Sequence, residues 1–233
     1  MEINFSLTFI LNLLLSFILF LLIMNSIGIG FIYYYDYDYY HVPGLIRMFN
    51  LNRENNIPTL YSCFQLMISA ILLLVIAVIA VRTKEKGHVY LYWIGLAMIF
   101  FFLSLDEMFG FHERTSMYVR NYFNVTGLLY YAWVIPYGIV GGIFVLLYLR
   151  FLKQLPKRTM IMFIVSGTIY IIGAIGFEMF GGQEKELYGD TFLYHVLYTF
   201  EELFEMLGIA IFIYSLLSYI VRDLDSFSVK IVK

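Results

Sequence analysis

The stretch SLDEMFGFHE, residues 104–113, closes a long apolar run with three acids and a histidine. A second acidic cluster, Glu201, Glu202 and Glu205, lies inside another apolar run. An ionisable side chain at membrane depth raises the free energy of the protein unless a neighbouring group compensates it. Both clusters therefore indicate a structural or functional role for their acids. The rest of the chain is interpreted as the scaffold that brings the two clusters together.

The composition places the chain among integral membrane proteins. Its 233 residues are 61% hydrophobic and 14% charged, and the mean hydropathy is +0.80. A soluble domain of this length needs far more polar surface. The net charge of −2 gives no electrostatic footprint for nucleic acid. The lone Cys63 excludes an internal disulfide framework.

Apolar runs of the length that crosses a bilayer, about 20 residues, occur six times. They predict one all-α domain over residues 1–233, an integral membrane bundle of six transmembrane helices. With six spans, both termini share a side that carries ten Lys and Arg, against five on the other side. Because basic loops stay in the cytoplasm, both termini are predicted to be cytoplasmic. The predicted spans cover about 5–32, 59–81, 88–110, 127–150, 158–180 and 191–221.

Aromatic residues and prolines mark the expected ends of the spans. The tyrosine-rich segment 33–40 is interpreted as an aromatic girdle at the headgroups, with a substrate-contacting lid as the alternative. Asn56 and Pro58 predict a helix start, since proline fits the first helical turn. The aromatic residues around Pro136 predict an interfacial anchor and a kink in span four. They are Tyr130, Tyr131, Trp133 and Tyr137.

Glycines predict where helices approach one another or end. Gly141 and Gly142 in span four, and Gly173 with Gly176 in span five, are expected to let neighbouring helices pack closely. Gly181 and Gly182 are expected to end span five as a C-cap.

Acids from three spans are predicted to lie at one depth. At about 1.5 Å per residue, Asp106 lies about 27 Å along span three, and Glu178 lies about 30 Å along span five. Counting back about 20 residues from the cytoplasmic end of span six places Glu202 at the same outer edge. The sequence therefore predicts a shared acidic site on the outer side.

Helical phase predicts which side chains face this site. Asp106 and Glu113 are seven residues apart and share a face of a regular helix. His112 points away from that face unless the helix breaks near Gly110. Span six carries a stripe at helical spacing: His195, Tyr198, Glu202 and Glu205.

Carboxylates at one level repel, so the site needs compensation. A divalent metal is the first alternative, and carboxylates with imidazoles suit iron, manganese or zinc. The candidate ligands are Asp106, His112, Glu113, Glu178, His195, Glu202 and Glu205.

Two other compensations remain open. Arg114, Arg120 or Lys185 could pair with the acids and form an ionic clamp that fixes the bundle. Raised pKa values could instead leave several acids protonated and form a proton or cation path.

Several motifs together resemble a group of uncharacterised bacterial multi-pass membrane proteins. They are FLSLDE at 102–107, HE at 112–113, YAWVIPY at 131–137, EMFGG at 178–182, and EExxExxG at 201–208. The resemblance covers about residues 48–220. It implies a bacterial inner (plasma) membrane location and no particular activity.

The leading hypothesis is an outer-side carboxylate–histidine site that binds a metal and acts on a lipid or another hydrophobic substrate. The metal would support hydrolysis or oxidation. The alternative is a non-catalytic membrane subunit or a transporter-like protein whose acids are structural or handle protons or cations. The lipid bilayer is the expected partner, and the glycine-rich faces allow a larger membrane-protein complex or a homo-oligomer without requiring one.

Overall fold

The computed structural model describes residues 6–35, 44–83, 88–222 and 224. These ranges are built from helices joined by short connections. A π-helical segment joins α7 to α8, and a 3₁₀ turn precedes α6. The elements are α1 (Leu7–Tyr35), α2 (Gly44–Arg47), α3 (Ile57–Arg82), α4 (Val89–Phe109), α5 (Phe111–Phe123), the 3₁₀ turn (Gly127–Leu129), α6 (Val134–Leu152), α7 (Lys157–Ile171), the π segment (Ile172–Phe177), α8 (Glu178–Tyr188) and α9 (Phe192–Arg222).

Six helices within the described ranges are long and apolar enough to cross a membrane. They are α1, α3, α4, α6, the continuous unit from α7 to α8, and α9. The prediction of an all-α, six-span membrane protein is confirmed. Exposed apolar side chains along the spans, such as Leu146 at 70% and Met98 at 67%, imply contact with the lipid bilayer.

Part of the predicted topology stays a prediction. The cytoplasmic placement of both termini depends in part on basic residues at 84–87 and 225–233, which lie outside the described residues. The predicted tyrosine girdle or lid falls largely on residues 36–40, which lie outside them too.

The predicted start of α3 is confirmed. The Asn56 side chain accepts a hydrogen bond from the Thr59 backbone N–H at 3.1 Å, which satisfies a donor that the helix cannot. Pro58 lies in the first turn, where its missing N–H leaves no acceptor unpaired.

Span four begins at Val134, seven residues later than predicted. Gly127 has φ +63°, and the segment from there to Trp133 forms a 3₁₀ turn and an irregular connection. Pro136 lies in the first turn of α6, where proline is tolerated because the N–H has no helical partner. The predicted kink is therefore wrong.

Span five runs beyond its predicted end, to Tyr188. It ends at Gly189, whose φ of +78° suits glycine. Gly182 serves packing instead, since a Cβ there would lie 2.8 Å from the Tyr131 ring. The predicted C-cap at Gly181 and Gly182 is wrong.

Helix α9 is the central helix of the bundle. It contacts α1, α3, α7, the π segment and α8. The largest core lies where α3, α4, α6 and α9 meet, at the end of the bundle remote from α5. Its fully buried side chains include Leu73, Ile76, Trp93, Phe151 and Leu216.

Two glycines bring the α7 side of span five against α9. A Cβ at Gly173 would lie 2.7 Å from the Glu201 carbonyl oxygen, and one at Gly208 would lie 2.9 Å from the Ser166 carbonyl oxygen. Close approach of backbones through small residues is a usual source of van der Waals stabilisation between membrane helices. The prediction is confirmed for Gly173 and wrong for Gly176, where a Cβ would meet only Ile172 of the same span, at 3.9 Å.

Helix α6 stands apart from the bundle. Its buried residues are Val134 and Phe151, near its two ends. A Cβ at Gly138, Gly141 or Gly142 would meet no atom within 4 Å. The prediction that Gly141 and Gly142 pack against a neighbouring helix is wrong, because these glycines border open space between α4, α6 and α7.

Replacing Gly208 by Ala should destabilise the protein by about 1–3 kcal/mol, because the new methyl group would overlap the α7 backbone. The matched control is Gly167→Ala on α7, where a Cβ would meet nothing within 4 Å. Thermal unfolding of the detergent-solubilised variants measures both changes. Equal midpoints for the two variants would contradict the close approach of α7 to α9.

Candidate functional site

A large cavity lies between α4, α6, the α7–α8 unit and α9. Its volume is about 1430 Å³. One end is polar and reaches the loop before α3 and the start of α5. Toward the other end of the bundle the lining is apolar, and includes Leu96, Phe100, Leu149, Phe163 and Phe212.

The cavity opens on the lateral surface of the bundle. Lining side chains in the middle of the spans are strongly exposed, among them Met98 on α4 at 67% and Val140 on α6 at 66%. Since these positions lie between the ends of apolar spans, the opening faces the hydrocarbon of the bilayer.

The polar end of the cavity collects acids from four parts of the chain. Six of the seven predicted ligands line it, and His195 does not. The His195 ring nitrogen Nδ1 lies 2.9 Å from the Tyr198 hydroxyl, and the ring packs against Tyr33 at 5.5 Å. The lining acids are Glu54, Asp106, Glu107, Glu113, Glu178, Glu201, Glu202 and Glu205.

A break at Gly110 joins His112 to Asp106. Gly110 has φ +60°, which ends α4 and turns the chain into α5. The His112 backbone N–H donates to Asp106 Oδ1 at 3.0 Å, and the ring nitrogen Nδ1 lies 3.0 Å from Oδ2. Helix α4 does not continue through Glu113, so the predicted shared face of Asp106 and Glu113 is wrong. Glu113 lies on α5 and is exposed.

Two aromatic residues hold the acids from the α6 side. The Tyr137 hydroxyl donates to Asp106 Oδ1 at 2.9 Å, and Trp133 Nε1 donates to Glu178 Oε1 at 2.6 Å. The His112 and Trp133 ring centroids are 5.1 Å apart. The residues predicted as an interfacial anchor thus contact the acidic site directly.

His112 is the cation that compensates part of the acidic cluster. Burial alone would lower its pKa, but the hydrogen bond to Asp106 and the charges of Asp106 and Glu54 raise the pKa to about 10. Its Nε2 lies 4.0 Å from Glu54 Oε1. Burial raises the pKa of Glu54 to about 7, although His112 opposes the shift.

The three basic residues predicted to pair with the acids as an ionic clamp contact other groups or are exposed. Arg120 lies 4.4 Å from the centre of the Tyr130 ring, and Lys185 pairs with Asp190. Arg114 is exposed. Within the described ranges none of the three lies within 4.0 Å of an acid that lines the cavity. The predicted clamp is therefore wrong, and His112 takes its place.

The carboxyl groups of Glu178 and Glu201 lie next to each other at the polar end of the cavity. Two carboxylates this close repel each other, so the pair needs a compensating donor or cation. The π segment ends at the residue before Glu178, and its Gly173 packs on the Glu201 backbone. A π-helical turn often occurs at functional sites, since it changes the phase of the helix that follows.

The carboxyl groups of Glu107, Glu202 and Glu205 face the cavity without a hydrogen bond to any described residue. Their compensation must come from protonation or from a bound molecule.

The described side chains contain no group of three or more His, Cys, Asp or Glu that could hold a metal ion as they stand. His112 already uses Nδ1 to contact Asp106, and His195 lies elsewhere. Metal binding by the seven predicted ligands stays a prediction.

Comparison with known proteins gives a family but no activity. The model of a family described as a domain of unknown function, DUF8692, matches residues 13–220. The chain belongs to this family. No curated protein and no solved structure matches it. The resemblance to an uncharacterised family is confirmed to that extent, while the bacterial origin remains what the resemblance implies.

Some residues of the site in this DUF8692 chain escape prediction from the sequence. The phase of a regular helix directs Glu107 away from the face that carries Asp106. Glu54 lies in a loop, where helical phase predicts nothing. Trp133 and Tyr137 are four residues apart, a spacing that puts two side chains on one helical face. This spacing is the feature of the sequence that indicates a common site for both.

Replacing Asp106 by Ala should destabilise the protein by about 3–5 kcal/mol, because it leaves the His112 imidazolium without its partner. Tyr137→Phe removes one hydrogen bond and should cost about 1–2 kcal/mol. The control Glu113→Gln should stay within about 0.5 kcal/mol of wild type, since Glu113 is exposed. Unfolding in detergent measures all three. An Asp106→Ala protein as stable as Glu113→Gln would show that the pair is not formed.

Proposed function

We propose that this protein takes a lipid or another hydrophobic molecule from the bilayer into the cavity and holds its polar end at the carboxylate–histidine cluster. One observation carries the proposal. A single cavity joins an apolar, laterally open region to eight acids and a histidine.

The dimensions of the cavity support a long apolar ligand. Its volume of about 1430 Å³ exceeds the range of about 300–1000 Å³ usual for small-molecule sites. Lining residues on the α6 side run from Trp133 to Leu152. At about 1.5 Å per residue this is about 28 Å, close to the thickness of the hydrocarbon core.

The polar end can bind and exchange protons with a bound group. Asp106 fixes the orientation of the His112 ring, and the carboxyl groups of Glu178 and Glu201 lie together beside the cavity. Chemistry on the ligand would take place here, at the outer side if both termini are cytoplasmic. A bacterial plasma membrane is the setting that the resemblance implies.

In a more specific version of the proposal, a metal bound by the acids supports hydrolysis or oxidation of the ligand. The acids offer the oxygen ligands that iron, manganese or zinc accept. Because no three described side chains form a metal site as they stand, binding would require side-chain movement, and no step is assigned to a metal here.

A non-catalytic or transporter-like role is the second candidate. The adjacent carboxyl groups of Glu178 and Glu201 support it, since such a pair can accept and release a proton without other chemistry. The apolar lining of the remote end opposes a continuous aqueous path.

Replacing Gly141 by Leu should displace most of the bound hydrophobic ligand. Gly141 lines the cavity and a side chain there has free space, so the protein should fold and the cavity should fill. Native mass spectrometry of the purified protein measures the lipid retained per chain.

The matched control is Gly30→Leu on α1. Gly30 is exposed, a Cβ there meets nothing within 4 Å, and the residue does not line the cavity. It should retain lipid like wild type. Equal retention by both variants would contradict occupation of the cavity.

Elemental analysis tests the metal form of the proposal. If a metal is bound, purified wild type should contain it in a fixed ratio, and Glu202→Gln should lower that ratio because a ligand is lost. Background metal in both proteins, after supplementation with iron, manganese and zinc, would exclude this form while leaving ligand binding untouched.

A further inference from the structure

The charged groups that line the cavity are unbalanced. Eight acids face four basic residues around its polar end. The basic residues are Arg53, His112, Arg120 and Lys185.

All four basic residues have partners already. Lys185 pairs with Asp190 and lies 5.0 Å from the centre of the Tyr194 ring. Arg120 lies over the Tyr130 ring, and Arg53 also has a partner. His112 is the one that contacts the acids of the cavity, and it does so through Asp106 and Glu54. An excess of carboxyl groups without a basic partner therefore remains at the polar end.

Unsatisfied carboxyl oxygens form a second, independent observation. Glu54 Oε2 is buried without a hydrogen-bond partner. The carboxyl groups of Glu107, Glu202 and Glu205 face the cavity without one. A buried acceptor without a donor is costly, as at Glu54 Oε2, and the carboxyl groups that face the cavity are accessible to a donor from a ligand.

Aromatic side chains line the same end of the cavity, and two of them, Tyr130 and Tyr194, already contact Arg120 and Lys185. The flat faces of such rings attract cations, and cages of this kind recognise ammonium groups. The aromatic lining residues there are Tyr130, Tyr131, Trp133, Tyr137, Tyr170, Tyr194 and Tyr198.

We infer that the ligand of the cavity is an amphiphile with a positively charged ammonium head and a long apolar tail. The inference depends on the proposed function and names its ligand class. The ammonium group donates hydrogen bonds to the unsatisfied carboxyl groups and supplies the missing positive charge, while the tail fills the apolar part. An anionic head meets repulsion from the same acids, and a free small cation leaves the apolar part empty.

The test compares ligands with one tail and different heads. Dodecylammonium, dodecanol and dodecanoate are titrated into the full chain in uncharged detergent micelles, and calorimetry measures binding against protein-free micelles. Methylammonium serves as the head without the tail. Wild type should bind dodecylammonium about tenfold tighter than dodecanol, from one or two cation–aromatic and charge contacts. Dodecanoate and methylammonium should bind more weakly than dodecanol.

Two variants assign the preference to the acids. The double variant Glu202→Gln with Glu205→Gln keeps the shape of the site and removes two carboxyl groups, so the tenfold preference should fall to near equality. The control Glu184→Gln lies outside the cavity, and its remaining oxygen can still accept the Thr191 hydroxyl. It should keep the preference of wild type.

The outcomes separate this inference from the proposed function. Equal binding of dodecylammonium and dodecanol, both blocked by Gly141→Leu, would overturn the ammonium head and support occupation of the cavity. Preference for dodecanoate, or an unchanged preference in the double variant, would also overturn the ammonium head. Binding of methylammonium as tight as that of dodecylammonium would assign the site to free cations instead. No binding of any tailed ligand would overturn both.

Discussion

The arrangement of this protein depends on compensating carboxyl groups at the edge of a membrane-spanning bundle. Charge at this depth is expensive, and like charges close together cannot all be ionised. The structure compensates some of them with donors from three neighbours: His112 and Tyr137 on Asp106, and Trp133 on Glu178. Others, such as Glu107, Glu202 and Glu205, face the cavity without a hydrogen bond to a described residue.

Two departures from regular helix create this end of the bundle. The positive φ at Gly110 turns the chain from α4 into α5, which returns His112 to Asp106. The π segment changes the helical phase of span five just before Glu178. Gly173 lets this segment pack directly against the backbone of α9. Strained or irregular backbone gathers where function requires particular side-chain positions.

The bundle is tight on one side and open on the other. Helices α3, α4, α7 and α9 pack closely, whereas α6 is held near its ends by Val134 and Phe151. The glycines of α6 leave space rather than closing it. In a bilayer the medium around the spans is lipid, so lipid can enter such a gap from the side. An amphiphile is therefore the molecule with the most direct access to the acids.

The sequence alone determined the six spans, because a helix that crosses the bilayer needs an apolar run of sufficient length. It also predicted that acids of three spans share one depth, since helical rise is constant. Tertiary structure decided which side chains meet. His195 contacts Tyr198 and Tyr33 and does not line the cavity, while Trp133, Glu54 and Glu107 reach it. Backbone breaks and the packing of separate helices set these contacts, and neither follows from the spacing of residues within one helix.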